Sequence, residues 1–105
     1  MPRPITDQLD WFANETVTID NTAGGITLTA GTHSVSGRPN AQVALLTLEA
    51  GQIRFTLDGT APTTTAGHIM DIGDVVTLKS SNEVRRWKGI RTGATSGTLI
   101  ASYAR

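Results

Sequence analysis

The sequence predicts an all-β chain: a single-domain β-sandwich of jelly-roll or immunoglobulin-like type, with about eight strands and an N-terminal arm. Three observations carry this expectation. Threonine is the commonest residue, 17 of 105, and it is spread along the chain rather than clustered. Its branched Cβ is stiff in a helix and suits extended backbone. Most apolar segments alternate apolar with polar residues at period two, the spacing of a strand with one buried face. Between them stand clusters of Gly, Asn, Asp, Pro and Ser that leave strand starts roughly 10–15 residues apart, as in a two-sheet sandwich rather than βαβ units. No window sustains a 3.6-residue period over ten or more positions.

Residues 1–14 carry Pro2 and Pro4, then Leu9, Trp11 and Phe12 close together, with no strand alternation. They read as an arm ahead of a sandwich spanning residues 15–105. Trp11 and Phe12 either cap one end of the core or reach a neighbouring subunit. The best helical alternative in the chain, about two turns, also lies here, near residues 6–14. Val17 and Ile19 then alternate with Thr16, Thr18 and Asp20, and Ile26 and Leu28 with Thr27 and Thr29. Residues 42–49, with Val43, Leu45, Leu46 and Leu48, read as a more fully buried strand. The connection Glu49, Ala50, Gly51, Gln52 is short enough to close an antiparallel hairpin onto the next strand, where Ile53, Phe55 and Leu57 alternate with Arg54, Thr56 and Asp58. Residues 75–79, 84–91 and 98–103 complete the set. The stretches 21–25, 31–40, 59–67, 71–74, 80–83 and 92–97 read as loops and turns.

Composition excludes several functions. The chain has 11.1 kDa, room for one domain, and only five aromatic residues, so its core is built from Val, Ile and Leu. A core this thin benefits from self-association. Nine basic residues balance nine acidic ones, whereas a dedicated nucleic-acid binder carries a basic excess. With no cysteine there is no disulfide framework, thiol nucleophile or thiolate metal site. No apolar run approaches the roughly 18 residues of a membrane span, and residues 1–10 are too polar for a signal peptide. The expectation is a soluble protein that contacts neither nucleic acid nor membrane. Charge divides between the halves: two basic against five acidic residues in 1–50, seven against four in 51–105. Such a split suits contacts between copies, unless interleaved strands mix the halves.

Catalytic chemistry has little to build on. His33 and His68 stand in no nucleophile or zinc spacing, and both read as exposed or locally hydrogen-bonded side chains. Asp71 and Asp74 flank Ile72 and Gly73, which suits a tight turn with aspartate capping backbone N–H groups. No cofactor or metal site is expected, and the protein reads as a non-enzyme. The run Arg85, Arg86, Trp87, Lys88, Gly89, Ile90, Arg91 is the most pointed chemically. Drawn as one strand, it puts Arg85, Trp87, Gly89 and Arg91 on one face and Arg86, Lys88 and Ile90 on the other. Trp and Arg are frequent interface anchors, while Trp87 in the core with charged stems over the sheet is the plainer reading. The most distinctive string is residues 53–63, a strand running into Asp58 and Gly59, with Pro62 stiffening the loop beyond.

That string resembles the strand-plus-turn of β-sandwich modules of the chitobiase C-terminal type, which share a "TxDGxxPT" pattern. The longer run through Thr63, Gly67, His68, Gly73 and Asp74 to residues 75–78 more closely resembles small tailed-phage virion proteins. In that group "RxxLDGTAPT…GH…GD" precedes a strand, an "IRTGAT" segment (here residues 90–95) and a terminal strand ending in an aromatic (here residues 98–105). The resemblance covers roughly residues 41–105 and leaves residues 1–14 unmatched. It implies a capsid decoration or cement protein of the virion, assembled in the host cytoplasm, whose many copies clamp the major capsid protein or other virion subunits. A homo-oligomer is expected, with a trimer favoured because decorating proteins usually occupy threefold sites. Trp11, Phe12, Arg85, Arg86, Lys88 and Arg91 are the expected interface residues; Asp58, Gly59, Pro62 and Gly73 are expected to shape turns. A head–tail connector or tail component is the nearest alternative. A carbohydrate- or receptor-binding module is another, and it would need aromatics exposed in a flat row.

Overall fold

The computed structural model describes residues 10–33 and 41–105. Eight strands form: β1 (Trp11–Ile19), β2 (Ile26–Thr27), β3 (Val43–Ala50), β4 (Ile53–Thr56), β5 (His68–Met70), β6 (Val75–Leu78), β7 (Lys88–Arg91) and β8 (Gly97–Ala104). Two short helices, α1 (Ala30–His33) and α2 (Ser81–Arg86), lie between them. The strands make two four-stranded antiparallel sheets, sheet A in the order β1-β8-β3-β6 and sheet B in the order β2-β7-β4-β5. The nested pairs β1·β8, β2·β7, β3·β6 and β4·β5 are those of one long hairpin rolled onto itself, which is the jelly-roll arrangement. An immunoglobulin-like order would keep the first two strands in one sheet, whereas here β1 and β2 lie in different ones.

The period-two pattern decides which side chains fill the space between the sheets. Val17 and Ile19 from β1, Ala44, Leu46 and Leu48 from β3, Ile53 and Phe55 from β4, and Leu99, Ala101 and Tyr103 from β8 are all buried there. Trp87, fully buried, stacks on Phe55 with ring centres 6.1 Å apart. The indole roofs Gly89, where a Cβ would lie 2.6 Å from the ring.

Three expectations are corrected. First, residues 49–52 close no hairpin: β3 belongs to sheet A and β4 to sheet B, so this connection is an arch between sheets. Gly51 makes the crossing at φ +67°, a left-handed conformation that costs glycine little. Second, residues 84–91 are not one strand. Ser80 caps α2 by accepting from the Glu83 N–H at 3.2 Å, and the Glu83 carboxylate accepts from the Lys79 N–H, also at 3.2 Å. Two orphan donors at the helix start are thereby satisfied, and the chain becomes extended only from Lys88 onward. Third, the boundary drawn at residue 14 falls inside β1, because Trp11–Asn14 already pair with β8. Removing residues 1–14 would therefore cut into the sheet.

Turns form around Gly59 and Gly73. Asp58 accepts from the Thr60 N–H at 3.0 Å, and that bond with the Thr60 hydroxyl holds its carboxyl below the usual range. Gly59 follows at φ +89°, and Pro62 is buried beyond it. In the next turn Asp74 accepts from the Asp71 N–H at 2.8 Å around Gly73, whose φ is +92°. The nearest atom to a Cβ at Gly59 is 3.9 Å away, so Gly59→Val meets backbone strain but no clash. Its expected effect is a loss of roughly 1–3 kcal/mol. Thermal denaturation of the variant checks this, and an unchanged melting temperature would refute the strained turn.

Candidate functional site

The two sheets present very different outer faces. Sheet B is covered in part by its own β4–β5 connection, residues 57–67, which leaves Ile69 exposed opposite Arg54. Arg54, pointing outward from β4, donates from Nε to the Thr64 carbonyl at 3.0 Å and from Nη1 to the Gly67 carbonyl at 2.8 Å. Pro62 lies over Gly25 and Lys88, within 2.9 Å of where a Gly25 Cβ would sit. Ile90, opposite Arg54 in the ladder and so on the same face, is buried although it stands outside the inter-sheet core. The loop that carries the most distinctive sequence string is thus a strap over sheet B.

Sheet A has no such cover from a described segment. Its register aligns outward-facing residues in rows: Asn14, Ser102, Leu45 and Thr77, then Thr16, Ile100, Thr47 and Val75. None of the residues in these two rows is charged. Leu45 and Val75 are exposed, and threonine supplies most of the remaining surface. Among the described residues this face carries exposed apolar and threonine side chains and no covering segment, which makes it the leading candidate for a contact surface. Sequence reading missed it because Leu45 looks like a core residue when its neighbours Ala44, Leu46 and Leu48 are apolar too. The available signal was strict alternation: if Leu46 and Leu48 face the core, Leu45 cannot.

Trp11 stands at one corner of this face. The β1 register skips Phe12 between Trp11 and Ala13, a bulge that brings Trp11 into line with Ala104. Phe12 packs on the core edge with the Arg105 guanidinium 4.2 Å above its ring centre, while Trp11 stays 45% exposed. Trp11, Phe12, Ala13, Asn14, Leu45 and Ser102 line a shallow groove of about 330 Å³. The corner is held in place. Asp10 and Arg105 exchange backbone hydrogen bonds at 3.0 and 3.1 Å, and their side chains pair at 3.3 Å. An anchor fixed before contact loses less entropy on binding.

The basic residues do not form one patch. Arg85 and Arg86 are exposed on α2, with Arg85 donating to the Asn82 side chain and Arg86 beside Gly59 and near Asp58. Lys88 opens β7 on the outer side of sheet B, near Pro62. Arg91 closes β7 roughly 10 Å further along, where its Nη1 donates to Ser96 Oγ at 3.3 Å; the Asp20 carboxyl is lowered chiefly by its hydrogen bonds from Thr22 and less by the Arg91 charge. Between them Trp87 is core. A second groove, about 520 Å³, runs past Thr56, Leu57, Asp58, Thr60, Gly67 and His68. Its polar atoms serve the turn itself: Asp58 holds the Thr60 N–H and Thr56 Oγ1 donates to the Thr60 carbonyl.

The two histidines differ in environment. His68 is exposed against Phe55, with ring centres 5.4 Å apart. His33 is only 3% exposed, because α1 folds it against β1. Among the described residues no group of three or more His, Asp or Glu is placed to hold a metal ion. Comparison with family models, curated proteins and solved structures finds no match to this chain.

Proposed function

We propose that this is a non-enzymatic structural protein of a tailed-phage particle, a capsid decoration or cement protein that docks through the outer face of sheet A. The observation that carries the docking role is the contrast between the two faces: one strapped by its own loop, the other flat, nearly uncharged and flanked by a pre-positioned Trp11. The tailed-phage setting rests on the sequence resemblance over residues 41–105, and a jelly roll is a fold that capsid proteins use. The major capsid protein, or another subunit of the shell, is the proposed partner. A carbohydrate-binding role has less support, since of Trp11, Phe12 and Trp87 only Trp11 is exposed and no flat aromatic row forms.

Trp11→Ala tests the proposal. Burying the exposed half of an indole contributes about 2 kcal/mol, so the variant is expected to bind assembled heads roughly 30-fold more weakly. Its melting temperature should move little, because the lost contact is on the surface. Co-sedimentation with particles lacking the protein reads the affinity, and undiminished binding would overturn the docking face. Copies spread over the whole shell support decoration; copies confined to one ring point to a connector or tail component.

A further inference from the structure

We propose that α1 is an acid-released latch: neutral His33, seated against Tyr103, holds the segment down, and protonation of its imidazole lets the segment lift. Thr29 anchors the turn. Its carbonyl accepts from the Thr32 and His33 N–H groups at 2.9 and 3.2 Å, which defines the helical turn. Its own N–H donates to Glu15 Oε2 at 3.1 Å, tethering the turn to β1. The same carboxylate oxygen accepts the Tyr103 hydroxyl from β8. His33 closes the arrangement, its ring edge-on to Tyr103 at 5.6 Å and 64°, and its carbonyl accepts from the Ala41 N–H at 2.8 Å. Release of α1 would bare the Tyr103–Glu15 pair beside β1, which among the described residues pairs only with β8.

Among the described residues, charged and titratable groups on three elements face His33. Glu15 on β1 favours the imidazolium, Arg85 on α2 disfavours it, and Tyr103 on β8 is held as a neutral phenol by burial and by its bond to Glu15. Arg38, the one titratable residue in 34–40, lies outside the described residues. Burial is the largest influence and lowers the His33 pKa. Once α1 lifts, water restores the ordinary value near 6.5. The open form therefore binds the proton more tightly than the latched form. The latch is at full strength above about pH 6.5 and weakens as pH falls toward the lowered value of latched His33.

Amide hydrogen exchange on the full chain, from about pH 7.5 to 5.5 and corrected for intrinsic rates, reads the latch directly. This window lies above the ordinary range of carboxylates. Opening at Thr32, His33 and Ala41 is expected to increase as pH falls below 6.5, by no more than about tenfold per pH unit. The dependence should vanish in His33→Gln and persist in His68→Gln, which removes the chain's other histidine. A pH-independent wild type, or a slope that survives His33→Gln, would overturn the latch. Should His33→Gln not fold, an NMR titration of the unmodified chain decides: His33 titrating below 6.5 supports the latch, and at or above 6.5 refutes it. None of these outcomes depends on what sheet A docks against.

Discussion

Trp87→Ala is expected to lower the melting temperature by roughly 15–30 °C, the largest effect of any single side-chain truncation in this chain. Trp87 is fully buried between the sheets, stacked on Phe55 and roofing Gly89, and no other side chain reaches the space it fills. Removing a buried indole costs about 3–5 kcal/mol in lost transfer energy and residual cavity. A thin core with five aromatics has little with which to refill the space. Trp87→Phe separates packing from polarity. The Trp87 Nε1 is buried with no hydrogen-bond partner among the described residues, and leaving such a donor unpaired costs about 1–3 kcal/mol. Phenylalanine discards that donor while keeping most of the ring, so Trp87→Phe is expected to cost less than half of what Trp87→Ala costs. Equal losses for the two variants would show that the indole N–H does have a partner, or that ring size alone sets stability here.

Gly51→Val is expected to be nearly as damaging, by roughly 2–5 kcal/mol, for a reason that lies entirely in the backbone. At φ +67° a β-branched residue is strained by about 1–2 kcal/mol. The added Cβ would also stand 2.6 Å from the Ser96 carbonyl oxygen and 3.0 Å from the Gly97 nitrogen. Those are main-chain atoms entering β8 and cannot swing aside, so the arch must shift at the cost of an overpacked core, about 1–3 kcal/mol. Gly73→Val provides the comparison, since Gly73 has φ +92° with nothing within 4 Å of a Cβ. It should show the strain alone. Denaturant titrations of the two variants giving equal losses would mean that the Ser96 contact relaxes without cost.

Period-two alternation was enough to determine the strand faces at Val17 and Ile19 and at Ile53 and Phe55, because a strand with one buried face has only one way to point its apolar set. Turn chemistry was equally local. Asp58 with Gly59, and Asp71 with Asp74, form the turns their side chains and φ preferences dictate whatever surrounds them. The capping signal Ser80, Ser81, Asn82, Glu83 was also present in the sequence, and it outranked the strand-like alternation that followed it. What the tertiary structure alone decided is pairing. Gly51 allows either a hairpin or an arch, and the choice fell to whether β3 bonds to β4 or to β6 and β8, a competition among distant segments. The same competition laid residues 57–67 over sheet B, left Leu45 facing water and buried His33 against Tyr103. A residue's own period tells which side of its strand it occupies; which element then covers that side depends on residues far along the chain, and burial is a property of the two together.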